Sequence, residues 1–354
     1  MTKKKKIIAI TVPIAVVLVI AIILIILFFG LTSEPPVVPE VSFDFDGLGR
    51  APADEAPEGT DRIDASSVDS FSDSLSEDVN VIEDATYLFN IANQNLGKVD
   101  FYVSFAAGGG TANITSVGMG GSMEVREIPV IDGDSMYMES IGQVVQGYMM
   151  SNPDVSNVTI ENVCKGILEY GNRKYTPDGQ TFYLQEGGSS VLGTESLSSF
   201  LEGTGIDWTK SDPVRTESVD EFMTNEFYRY SYVEASSNII NTDTILKASL
   251  VHNEAEGYYE IQLVVDINSN ALELSTASTR DSAGSDDIVY THQTITCHVW
   301  ENGLMRYFNT EDGWKGTLAG FLSGESNNTW EKYFSYNRED VSVIVTPTDL
   351  SWAK

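Results

Sequence analysis

Ile7 to Phe29 is a run of 23 residues with no Asp, Glu, Lys, Arg, Asn or Gln, and it follows four lysines, Lys3 to Lys6. Such a segment has one good conformation in a bilayer. A helix satisfies its own backbone hydrogen bonds where no water can, and at 1.5 Å per residue it reaches roughly 35 Å across a hydrocarbon core of about 30 Å. Pro13 falls in the first two turns, where missing hydrogen bonds cost least. A cleaved signal peptide has a shorter apolar core and a small-residue cleavage site. The sequence Phe28-Phe29-Gly30-Leu31-Thr32-Ser33 supplies no such site. The reading is a cytoplasmic stub over 1–6 and an uncleaved transmembrane helix over 7–30. The lysines stay inside by the positive-inside rule. The expected location is therefore the cell membrane, single-pass, with the N-terminus cytoplasmic and the C-terminal part extracellular.

Residues 31–83 read as a disordered acidic linker. The stretch opens with Pro35, Pro36 and Pro39, and 15 acidic residues lie between Leu31 and Asp84 against only Arg50 and Arg62. Low hydrophobicity with high net charge cannot bury enough apolar surface to offset the entropy of ordering. Asp44, Asp46, Gly49 and Glu55 match four positions of a calcium-loop template, but Leu48 and Pro52 occupy two ligand positions. No metal site is inferred there.

The remainder, 84–354, reads as one extracellular antiparallel α+β domain. A helix capped by Asp84 and closed by Gly97 opens it. Strand signals then alternate with turns. Met123 to Ile131 and Ser135 to Ile141 flank Asp132-Gly133, a favoured two-residue hairpin turn. Lys174-Tyr175 and Thr181 to Leu184 flank Pro177-Asp178-Gly179. Ile245 to His252 and Tyr258 to Ile267 flank Asn253 to Gly257, and Ile288 to Trp300 and Leu304 to Phe308 flank Glu301-Asn302-Gly303. Val99 to Phe105 and Val341 to Val345 read as further strands, Glu195 to Glu202 and Val219 to Phe227 as short helices, and Gly108-Gly109-Gly110 as a turn between strands. In Tyr259 to Asp266 the odd positions Tyr259, Ile261, Leu263 and Val265 are apolar and form a core face. The fold expected is a large curved antiparallel sheet, a meander or half-barrel, with a few helices packed on it.

All 52 acidic residues follow the apolar run, giving the exterior part a charge of about −35. Phosphate backbones repel such a surface, so no nucleic-acid partner is expected. Cys164 and Cys297 are the only thiols. An oxidising exterior permits a bridge between them, and two separately buried free thiols satisfy the sequence equally well. They make no zinc signature with His252, His292 and His298. No catalytic motif is present. His298 follows Cys297 directly, and adjacent strand residues point to opposite faces, so the two cannot form a nucleophile–base couple. Ser351 and Lys354 have S-x-x-K spacing only at the extreme C-terminus. No enzymatic activity, catalytic residue, cofactor or metal is expected. Tyr228, Tyr230 and Tyr232 share one strand face and are the candidate ligand-lining residues, since aromatic rings beside polar groups stack on sugars or line apolar grooves.

Over about 84–346, the order of helix, successive hairpins and returning helices resembles the LolA-like lipoprotein carriers, with Gly133-Asp-Ser-Met-Tyr137 and Gly179-Gln-Thr-Phe-Tyr183 as turn-then-aromatic-strand segments. The resemblance implies a curved half-barrel that holds acyl chains. Lysine start, acidic tether and sparse cysteines are also similar to membrane-anchored surface proteins of low-GC Gram-positive bacteria. Three readings follow. The first is a non-catalytic binding module holding an apolar or amphiphilic, lipid-like ligand in a curved sheet. The second is an envelope scaffold whose partner is another envelope protein, and the third is a cell-wall hydrolase. Besides these partners, the membrane itself is engaged through residues 7–30.

Overall fold

The computed structural model describes residues 59–114, 117–132, 135–150, 164–176, 183–187, 209–210, 240–318 and 322–337. Their strands are β1 (Ser72–Ser76), β2 (Val103–Ile114), β3 (Val117–Asp132), β4 (Ser135–Met150), β5 (Cys164–Thr176), β6 (Tyr183–Gly187), β7 (Thr209–Lys210), β8 (Ile245–Asn253), β9 (Tyr258–Val265), β10 (Val289–Trp300), β11 (Met305–Leu318) and β12 (Leu322–Ser335). Two α-helices accompany them, α1 (Val79–Leu96) and α2 (Glu273–Ala283).

All twelve strands join one open sheet in the order β1-β8-β9-β10-β11-β12-β2-β3-β4-β5-β6-β7. It consists of two meanders, β2 to β7 and β8 to β12, sewn together where β12 runs antiparallel to β2 from Gly324↔Ile114 to Ser335↔Val103. The expected hairpins are present. Asp132 pairs Ser135 around Gly133, Tyr175 pairs Tyr183, Asn253 pairs Tyr258, and β10 turns into β11 through Gly303 at φ 87°, a backbone state that favours glycine.

The opening helix begins earlier than the sequence suggests. Asp78, not Asp84, is its N-cap, accepting from the Asn80 N–H at 3.0 Å, while Gly97 closes it as expected. Asp84 lies inside the helix, and its carboxylate accepts the N–H groups of Asp69 and Ser70 at 3.1 and 2.9 Å. That staples the segment leading into β1, which pairs with β8. Residues 59–83 therefore belong to the fold, although the linker was expected to run to 83. Asn95 completes the attachment by exchanging two 2.8 Å hydrogen bonds with the Asp61 backbone and donating to Gly303 O.

α1 lies across β8, β9, β10 and β11. Leu88, Phe89 and Ala92 bury themselves among Leu250, Ile261, Leu263, Ile295, Cys297, Val299 and Phe308, with the Phe89 and Phe308 rings 6.3 Å apart. Each fully buried large apolar side chain contributes about 1.5–3 kcal/mol. The alternation anticipated in β9 holds, because Tyr259, Ile261, Leu263 and Val265 all face this core.

Gly108 to Gly110 form no turn; they sit in mid-strand β2. On the α1 side of the sheet, the Trp330 ring of β12 lies over Gly108, where a Cβ would come within 2.1 Å of it, and Asn328 lies over Gly110. The glycines leave room for facing side chains. No helix among the described residues is long and apolar enough to cross a membrane. The run 7–30, the linker to residue 58, the two short helices expected around 195–202 and 219–227, and the strand 341–345 lie outside the described residues.

Candidate functional site

Tyr228, Tyr230 and Tyr232 fall outside the described residues, as do Ser351 and Lys354. Cys297 is a free thiol, wholly buried in the α1 core, and burial pushes it well above the ordinary thiol range. Cys164 begins β5, six strand steps away from β10 in the sheet order. Measured along a sheet with strands about 4.8 Å apart, that is far beyond the roughly 7 Å limit for bridged Cα atoms. Of the two alternatives left by the sequence, the free thiol is the one found at Cys297. No group of three His, Cys, Asp or Glu side chains that could hold a metal occurs among the described residues.

The three histidines are in different places. His252 stacks on Tyr259 at 4.5 Å and meets Glu301 Oε1 through Nε2 at 2.8 Å. His292, exposed at the register shift of β10, contacts Thr291 Oγ1 through Nδ1 at 3.1 Å. His298 turns its ring away from Cys297 to the opposite face, as strand alternation requires.

There it joins a row of aromatic rings that no single strand reveals. Tyr259, Cys297, Phe308 and Phe334 face α1. Their neighbours Tyr258, His298, Tyr307 and Tyr333 therefore share the face opposite α1, which carries no helix among the described residues. Register brings them together: His298 pairs Tyr307, and Tyr307 pairs Tyr333. Successive ring centroids are 5.1 Å apart from Tyr258 to His298, 4.9 Å to Tyr307 and 4.7 Å to Tyr333. Such cross-strand contacts contribute about 0.2–1 kcal/mol each. The last three rings are half-buried, so part of each faces solvent.

Polar groups edge the row. Glu331 Oε2 accepts from both the Tyr307 and Tyr333 hydroxyls at 3.3 Å. Burial and this carboxylate together raise both phenols above the ordinary tyrosine range. At the other end, the Arg306 guanidinium lies 4.1 Å above the Tyr258 ring and 5.1 Å from that of Trp300, and reaches Glu256 at 3.5 Å. Burial lowers His298 below the usual imidazole value, with Glu260 opposing and Arg306 reinforcing the shift. Farther along the same face, strand pairing places Gln262, Thr296, Asn309 and Glu331 in one transverse line. The surface thus passes from rings to amide, hydroxyl and carboxylate. It holds no nucleophile paired with a base; its groups can stack, accept and donate.

Sequence reasoning found aromatic alternation along one strand and missed this arrangement across four. A signal existed in the hairpin Ile288 to Phe308, whose turn fixes His298 opposite Tyr307; Tyr333 required the pairing of an unrecognised strand, β12.

No protein-family model matches the sequence, and no curated protein matches it. Among solved structures, the chain is similar to lipovitellin, described for its lipid–protein interactions, at 9% identity and a TM-score of 0.30, over 72% of this chain and 26% of that one. It thus spans about a quarter of lipovitellin's length. The translocator domain of the autotransporter NalP from Neisseria meningitidis is similar at 10% identity and a TM-score of 0.16, over 72% of this chain and 98% of that one. Neither score is high enough to assign a shared fold.

Proposed function

We propose that this protein is a non-catalytic binding module held outside the cell by the helix 7–30, and that it takes an amphiphilic ligand on the sheet face opposite α1. The observation that carries the reading is the in-register aromatic row of Tyr258, His298, Tyr307 and Tyr333, buried at Tyr258, partly exposed at its other three rings and continuous with a polar line through Asn309 and Glu331. Rings offer flat apolar faces to a hydrocarbon or to the C–H face of a sugar. The carboxylate and amides fix the polar end, which is the usual division of labour in a ligand site. The acidic linker, over its part before the fold, serves as a spacer from the headgroups. A sheet that curves along its length, as in the LolA-like carriers it resembles, would deepen this face into a groove.

The test is native mass spectrometry of the full chain released from its membrane. A bound mass retained by the parent chain and lost from Tyr307→Ala/Tyr333→Ala, with circular dichroism unchanged, supports the reading. Equal retention by both chains, or no bound mass under conditions that preserve detergent-stable lipid contacts, overturns it. Orientation is checked separately, since protease added to intact cells must remove the C-terminal domain.

A further inference from the structure

A second feature lies apart from the aromatic row. Between α2 and the start of β10 is a cleft of about 500 Å³, within the range of small-molecule sites. Tyr290 and Val289 supply apolar wall, Thr276 and Thr291 bring hydroxyls, and Arg280 and Lys315 bring positive charge. In a chain of net charge −31, two cations on one cleft are notable for their lack of carboxylate partners. Neither forms an ion pair among the described residues, whereas Lys98, Lys247 and Arg306 all do.

Two carboxylates near the cleft are engaged otherwise, and Glu325, opposite Lys315 in the strand register, forms no ion pair with it among the described residues. Asp287 accepts from Ser285 and from both the backbone N–H and the hydroxyl of Thr317, which hold its carboxyl down to about 2. Asp266 accepts from the backbone and side chain of Asn268 in its own turn. Arg280 is also oriented. Its Nε donates to Ile288 O at 2.9 Å, which anchors one edge of the guanidinium and leaves the Nη groups for another acceptor. Lys315 is placed by pairing with Val289, another lining residue.

We infer that this cleft binds a phosphate-bearing small ligand. A planar carboxylate is satisfied by one forked guanidinium, whereas a tetrahedral phosphoryl group has oxygens for Arg280, Lys315 and the two threonine hydroxyls at once. The apolar wall formed by Tyr290 and Val289 suits the organic part of a phosphate ester. Two sources share this chemistry, a free phosphate ester and a lipid headgroup.

The experiment uses the full chain in neutral phosphatidylcholine nanodiscs. Calorimetric titrations with inorganic phosphate, glycerol 3-phosphate and acetate are run at matched ionic strength. A parallel arm measures association with added vesicles containing phosphatidylglycerol. Saturable binding of glycerol 3-phosphate, tighter than inorganic phosphate and at least tenfold tighter than acetate, is expected for a free ester. Association confined to the vesicles assigns the headgroup. Arg280→Lys should weaken binding about tenfold or more by removing the fork. Lys315→Glu, an exposed strand position, should abolish binding while leaving Tm within a few degrees. That variant guards against misreading Arg280 changes that loosen the α2–Ile288 contact. Binding unaltered by Lys315→Glu, acetate binding as well as the phosphates, or no uptake by any arm overturns the inference. Loss of the bound mass from the aromatic row leaves this outcome untouched, so the two sites are judged separately.

Discussion

Replacing Gly108 with Ala tests the register that joins the two meanders. A Cβ built there lies 2.1 Å from Trp330 Cε3 and 2.8 Å from Thr329 O, against ordinary contacts of 3.4–4 Å. Either the Trp330 ring swings out or the β2–β12 pairing opens, and overpacking of this kind costs about 1–3 kcal/mol. Replacing a strand glycine returns about 0.5–1 kcal/mol of backbone entropy. The single variant should therefore lose between about 0 and 2.5 kcal/mol. In a Trp330→Ala background the side-chain clash is gone but the 2.8 Å approach to Thr329 O remains, so Gly108→Ala should cost markedly less than in the parent chain. A double-mutant cycle should give a coupling of about 1–3 kcal/mol between positions that are contacting residues of one strand pair. The assay is urea unfolding of the full chain in mild detergent followed by far-UV circular dichroism, with equal m-values required across the four chains. At the size of this domain each kcal/mol moves Tm by about 2–4 °C. A coupling below about 0.5 kcal/mol would mean that Trp330 does not lie over Gly108, and the β12–β2 register would be wrong with it.

Three further outcomes follow from individual contacts. Asp84→Ala removes the acceptor of two backbone N–H groups at the start of β1 and should cost about 1.5–3 kcal/mol in the same urea assay, with amide exchange accelerated at Asp69 and Ser70. Because burial lowers His298 in the folded state, the unfolded chain takes up the proton first. The contribution of His298 is therefore complete above pH 6.5 and is lost as pH falls from there through the depressed folded value; His298→Gln should flatten that part of the Tm–pH curve, and an unchanged slope would refute it. Cys297, buried and with its thiol held protonated, should resist a thiol-directed maleimide in the folded chain and react only in denaturant, as read by peptide mass spectrometry.

The hairpins were legible in the sequence because turn chemistry is local. Asp132-Gly133 and Glu301-Asn302-Gly303 announce themselves in a few residues, and the alternation from Tyr259 to Val265 marks its own core face. β12 was not legible. Gly324-Glu-Ser-Asn-Asn-Thr329 lacks the branched and aromatic residues of a strand former, yet it lies between β11 and β2, where pairing on both sides overrides propensity. The triple glycine misled for the same reason. A glycine run suggests a turn only until the facing Trp330 is known. α2, with its Ser, Thr and Ala content and no side-chain cap, gave little amphipathic signal. For the candidate site, Tyr258 and His298 could be placed on a face by parity alone, but their neighbours on that face are set by long-range register.

α1 decides which side of the sheet is open for work. Over β8 to β11 it fills one face with Leu88, Phe89 and their partners, so an apolar ligand finds no room there. On the other face of these strands each residue between two core positions has a direct cross-strand neighbour about 5 Å away, so side chains there gain from pairing across strands, whether polar or aromatic. Tyr258, His298, Tyr307 and Tyr333 pair through rings that stack on one another, and Glu331 and Arg306 meet the polar demand of their edges. A row needed only for sheet stability would gain by burying itself under a loop. This one is partly exposed at His298, Tyr307 and Tyr333, and the proposed ligand would occupy the face opposite α1. Stacking of a ligand on Tyr307 and Tyr333 should then slow the opening of β11 from β12, so amide exchange at Asn309 and Glu331 should fall when the bound mass is present and recover in the Tyr307→Ala/Tyr333→Ala chain.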